Sequence, residues 1–338
     1  MSLNYKTCRI PMGKVTLREL AEHFKLDPAE LRWFHNKYCP VGDLIDPDIQ
    51  PHVEIIYIPV PGTETGYFRN KKQKKPFYRD QNVLDNSKKF ERTYGIVQKV
   101  EEQGREKQEM HYTMKVKKSE QCKMILMRES IYLNEKRPDF VMERIADEVG
   151  SIFYPMQLEL YETGKLKHID NFSEIQKRWT AKKEKLTSYY KGEIVEKLIE
   201  NLDQQLEYRG KTQRGILDSL FFVLYFFPLY EKFEEDHAYS LKTAIPVYPK
   251  EQQIGYDVKL TLHEEVTDEG KFMISVKGKY IDSENEEKTE YEKTSGNLNF
   301  TYMLNAMDNS ISSISGMIDL STAGNRKSIS FECYETEE

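Results

Sequence analysis

Four cysteines are all that the 338-residue chain carries, Cys8, Cys39, Cys122 and Cys333, and no two stand at CxxC spacing. That leaves no short-range zinc knot and no disulfide framework, so reduced, mostly buried thiols are expected. No apolar run approaches the roughly 20 residues of a membrane helix. The strongest, "LFFVLYFFPLY" from Leu220 to Tyr230, contains Pro228 and reads as a buried element. Excess positive charge is missing as well. With 50 Lys and Arg against 56 Asp and Glu, the net charge is −6, which argues against a general nucleic-acid binder. The first residues, "MSLNYKTCRIPMGKVTL", lack the cationic and apolar regions of a secretory signal, so the cytoplasm is the expected address.

Catalytic motifs are scarce too. No phosphate loop or dinucleotide fingerprint follows a strand-like run, and no GxSxG elbow occurs. The seven histidines, at positions 23, 35, 52, 111, 168, 237 and 263, form no HExxH and no pair with cysteine at ligand spacing. Carboxylate pairs such as Glu264 and Glu265 arise by chance among 56 acidic residues. The expectation is a non-enzymatic protein without cofactor or metal.

What is present is a globular composition, 38% hydrophobic, 31% charged and 12% aromatic. At the front, Tyr5 to Ile10 has strand character. Thr16 is an N-cap candidate with Glu19 at the capping-box position, and Leu17, Leu20, Ala21 and Phe24 follow at helical spacing. Asp27 and Pro28 open a second helix that carries Leu31 and Phe34 on one face. After a loop rich in Pro and Asp, "VEIIYIP" reads as a strand. The order is β-α-α-β.

Tyr5, Gly13, Thr16 and Leu17, then "LAEHF", "LDPAELRWFHN" and the closing Val53, Ile56, Ile58 and Pro59 make this stretch resemble a LysM domain. The resemblance implies a groove for N-acetylglucosamine-containing glycan, or for a protein partner, lined by Gly13, Lys14, Thr16, Leu17, Asn36, Tyr38, Asp43, Ile45 and Ile49. The stretch departs from the family at both groove loops, with "GKVT" for Gly-Asp-Thr and a longer segment from Lys37 to Gln50. Trp33 is either core or the aromatic centre of an interface.

Residues 61–86 combine Gly, Pro and the basic run "RNKKQKK" and read as a linker. Beyond it, alternating apolar and polar side chains predict strands over 90–170, helical spacing predicts helices over 171–232, and strands return over 240–335. The fold class expected is α+β: residues 1–60 as a LysM-like β-α-α-β module, then residues 87–338 as a larger antiparallel-sheet domain with a helical insertion. The aromatic run could line a cavity for an apolar ligand or simply fill the core.

Three functions remain open. A protein-docking adaptor in a phage-like contractile injection or secretion machine is preferred, because it accounts together for the altered loops, the missing signal and the absent catalytic motifs. A glycan binder exported by a non-classical route is second. An apolar-ligand carrier, or an enzyme whose site assembles only in space, is third.

Overall fold

A computed structural model describes residues 5–11, 15–40, 43–45, 48–50, 52–60, 83–119, 122–134, 136–138, 140–234, 236–247, 254–267, 269–281, 294–322 and 325–336. Gly13, Lys14 and most of the expected linker lie outside these residues.

The N-terminal elements follow from local chemistry. Strand β1 (Tyr5–Arg9) pairs antiparallel with β2 (Ile55–Pro59), Tyr5 opposite Pro59. Helix α1 (Leu17–Phe24) starts on a reciprocal capping box between Thr16 and Glu19 and ends where Lys25 turns left-handed. Helix α2 (Pro28–Tyr38) starts on Asp27, whose carboxylate accepts from the Ala29 amide. Leu17, Leu20, Ala21, Leu31, Ile45, Val53, Ile56 and Ile58 close a small core among these elements.

Eleven of the thirteen described strands build one antiparallel sheet. Strands β3 (Phe90–Glu102), β4 (Arg105–Lys118), β5 (Lys123–Leu133), β6 (Met156–Leu160) and β7 (Leu166–Ile169) run outward as one meander. A second meander comprises β8 (Ala238–Ile245), β9 (Ile254–Val266), β10 (Lys271–Tyr280), β11 (Ser295–Asn305), β12 (Ile311–Thr322) and β13 (Asn325–Thr336). The two join where β13 pairs with β3, so the strand order is β7-β6-β5-β4-β3-β13-β12-β11-β10-β9-β8. Period-two alternation sorts the faces. Tyr302, Ile314, Cys333, Ile96 and Tyr112 stand opposite one another on five consecutive strands and are all buried on one face.

That face is covered by helices. α3 (Val141–Ser151) lies between β5 and β6 in the chain, and α4 (Phe172–Tyr189), α5 (Glu193–Gln205), α6 (Arg209–Leu217) and α7 (Leu220–Tyr225) lead from edge strand β7 to edge strand β8. The aromatics of α7 fill the centre. Phe221 stacks on Tyr225 at 5.3 Å, and Tyr225 meets the edge of Tyr94 at 5.6 Å. Their polar ends are used, since Tyr94 Oη donates to the Ile311 carbonyl at 2.7 Å and Tyr302 Oη to that of Leu224 at 2.9 Å. The aromatic run therefore serves as core.

The opposite face receives the N-terminal segment. Leu44 packs with Cys39 and Val97, and α2 lies against β13. Gly95 permits this approach, because a Cβ there would come within 3.2 Å of Leu44 Cδ1.

The expected α+β division is corrected by this topology. Among the described residues, the helices do not form a separate insertion into a sheet domain. One long antiparallel sheet carries the chain, and α3 to α7 share its core with both meanders. Nor does the N-terminal segment establish the LysM-like module as such: a small β-α-α-β unit is not peculiar to that family, and this one is fastened to the sheet. The end of the expected linker is packed too, with Leu84 in the main core. The physical reason is range: periodicity assigns elements one at a time, whereas the β3–β13 pairing joins residues more than 200 positions apart.

Candidate functional site

The residues proposed as a groove fall into three settings. Asn36 is buried at the end of α2, where its Oδ1 accepts from the Ile45 amide at 2.8 Å and its Nδ2 donates to the Ile45 carbonyl at 3.0 Å. Ile45 is itself buried. The neighbouring His35 donates from Nε2 to the Asp43 carbonyl at 2.8 Å and accepts the Tyr57 amide at Nδ1, 3.2 Å away. That pair of bonds fixes the tautomer. Burial lowers the imidazole to about 4, against a partial opposing effect of the Asp43 bond. The Asp43 carboxyl is raised by desolvation, with His52 3.9 Å away pulling it back.

The second setting is the entrance to α1. Thr16 is the exposed cap, whereas Leu17 is buried. One oxygen of Asp48 accepts both the Leu17 amide at 2.5 Å and the Ile49 amide at 2.8 Å. The two loops expected to flank a groove are thus tied together by a carboxylate on the first turn of the helix. In the third setting, Tyr38 packs between Tyr5 and Phe34, each ring centroid 4.9 Å away. The structure brings Asn36, Asp43 and Ile45 together, and Thr16, Leu17 and Ile49 together, with Tyr38 apart on the β1 side.

Trp33 is outside the small core. Its ring lies beneath the ammonium groups of Lys271, at 5.0 Å, and Lys37, at 5.8 Å. With Asn305, Ser312, Tyr334 and Glu335 these residues line a cleft of about 190 Å³ between α2 and the sheet. One turn position away, Arg32 pairs with Glu332 at 2.9 Å, the Glu332 side chain being only 4% exposed. Trp33 is therefore an interface residue, and the interface lies within the chain.

Two charged clusters were not foreseen. On β3 and β4, Lys99 Nζ lies 2.9 Å from Glu109, which also bonds His111, and all three side chains are buried. On β6 and β7, His168 stands between Glu159 and Asp170. Glu109 and His111 could have been read from alternation, since residues two apart share a strand face. Glu159 and His168 each lie three positions from an end of the Glu162 to Lys165 turn, so a hairpin there pairs them. The buried Cys39 and Cys333 thiols are both pushed up by burial, which keeps them neutral and poorly nucleophilic.

No family model matches the chain, and no curated protein matches it. The LysM resemblance thus has no support from family comparison. Among solved structures, one of lipovitellin, concerned with its lipid–protein interactions, is similar to 74% of this chain with a TM-score of 0.42 and 8% identity. This chain spans 25% of that one. A likeness of that size does not separate a shared fold from a shared use of long antiparallel strands. Among the described residues, no helix is long and apolar enough to cross a membrane.

Proposed function

We propose that the chain is a non-enzymatic adaptor whose N-terminal segment docks another protein, in an assembly of the contractile injection or secretion kind that the N-terminal resemblance implies. The observation that carries this reading is the internal use of the groove side chains. A sugar reader needs polar atoms that face its ligand, and here both polar atoms of Asn36 are spent on Ile45. The amide of Leu17, a residue of the groove that the resemblance implies, is taken by Asp48. What remains outward is a firm surface, held on the sheet by Arg32, Trp33 and Leu44, and firm surfaces favour docking because little ordering accompanies association. Its exposed loop positions include Pro11 and Pro40.

The test places a photo-crosslinking amino acid at Pro11 or Pro40 of the full chain in the cells that make it, with exposed Glu184 on α4 as control. A discrete adduct with one protein from the loop positions alone is expected. Loop positions that capture nothing beyond the Glu184 background would sink the reading. The N-acetylglucosamine reading predicts instead saturable binding of oligosaccharide at the same loops.

A further inference from the structure

We propose that Glu159, His168 and Asp170 form a binding site for a divalent transition-metal ion at the β7 edge of the sheet. The site does not rest on the adaptor reading and could stand without it.

Strand pairing creates the juxtaposition. Glu159 stands directly opposite His168 in the β6–β7 ladder, and Leu158 and Leu160 on either side of Glu159 point into the core, which directs Glu159 outward. Asp170 is anchored just beyond β7 by its amide, which donates to the Gln157 carbonyl at 2.7 Å. His168 Nε2 lies 3.2 Å from Glu159 Oε2 and 2.8 Å from Asp170 Oδ1. One ligand atom from each residue falls within 4.8 Å of the others. Neighbouring ligands of one ion with bonds of about 2.1 Å are about 3.0–3.4 Å apart, in octahedral or tetrahedral geometry. The two distances from His168 Nε2 are close to that spacing.

Two features distinguish the cluster from a chance group of surface carboxylates. First, its centre is an imidazole nitrogen, so the donor set is mixed and favours zinc or its first-row neighbours over magnesium or calcium. Second, a lysine outside the cluster holds the far oxygen of each carboxylate: Lys167 pairs with Glu159 Oε1 at 2.6 Å and Lys123 with Asp170 Oδ2 at 3.4 Å. Each acid thus has one oxygen tied back and the other aimed at His168, as outer partners of metal ligands commonly arrange. As β7 is an edge strand, water can complete the coordination.

The competing description is an ion-pair network in which a protonated His168 bridges two acids. Calorimetric titration of the EDTA-treated full chain with Zn²⁺ separates the two. One saturable site is expected, undisturbed by excess Mg²⁺ and weakened more than about tenfold in both His168→Ala and Asp170→Asn. His23→Ala, at an exposed position on α1, should bind as the parent does. Thermal melts without metal check that each variant folds. A parent chain without saturable binding, or binding that His168→Ala and Asp170→Asn leave intact, would overturn the proposal.

Discussion

Both nitrogens of His35 are spent on backbone partners, one as donor to Asp43 and one as acceptor from Tyr57. A second proton would set N–H against N–H in a place without solvent. The folded value of about 4 lies below the 6.5 of a free imidazole, so between these values the unfolded chain binds the extra proton first. The stabilisation is full above the unfolded value and declines as pH falls toward the folded one, by about 3 kcal/mol in all. Denaturant titrations at neutral pH and near the lower value should show this decline, and His35→Gln should flatten it. An unchanged slope in that variant would contradict the assignment. Glu109 acts in a lower window. Burial alone would raise its carboxyl, but hydrogen bonds from His111 and Lys99 bring it below its ordinary value. Its contribution is present above the unfolded value and is lost as pH falls through the depressed folded one. Glu109→Gln removes the negative charge beside buried Lys99 and should cost about 3 kcal/mol or more in urea unfolding. A loss near zero would mean that the cluster is solvated.

At the scale of elements, the close approach of β11 and β12 depends on Gly316. A Cβ there would collide with the Asn299 carbonyl and lie 2.6 Å from Phe300 Cα, both backbone atoms that cannot swing away. Gly316→Ala should therefore cost more than about 2 kcal/mol or yield insoluble protein, by comparison with other overpacked sites. A melt within a degree or two of the parent would show that the strands can separate at no cost. Legibility in the sequence also divides by element. The caps of α1 and α2 were readable because Thr16, Glu19 and Asp27 act within one turn. The long strands were readable from alternation. Helix α3 was not foreseen. It buries only Ile145 and Val149, while Phe140, Val141 and Met142 at its start are exposed and blur the apolar stripe.

For the whole molecule, the decisive contact is β3 with β13, which no periodicity could reveal because it joins strands more than 200 positions apart. The same limit applied to the site. The resemblance named Asn36, Asp43 and Ile45 for one groove, but only the structure shows Asn36 turned on the Ile45 backbone and the Asp43 carbonyl on His35. Trp33 was recognised as a residue of two possible roles, and its partner Lys271 lies on a strand that sequence spacing could not bring near. The attachment of the N-terminal segment can be loosened in one step. Arg32→Ala removes the ion pair with buried Glu332 and should cost about 2–3 kcal/mol. Hydrogen exchange should then accelerate in α2 more than in α4, and uniform exchange across the molecule would contradict a localised attachment.

The central claim is that the N-terminal surface is closed to sugar by the chain's own side chains and serves as a protein-docking face. Calorimetric titration of the intact protein with oligomers of N-acetylglucosamine, from both chitin and peptidoglycan, tests it most directly. The account predicts no saturable heat. Saturable binding that is lost when Thr16 and the loop from Tyr38 to Gln50 are altered would contradict it and make the segment a glycan reader.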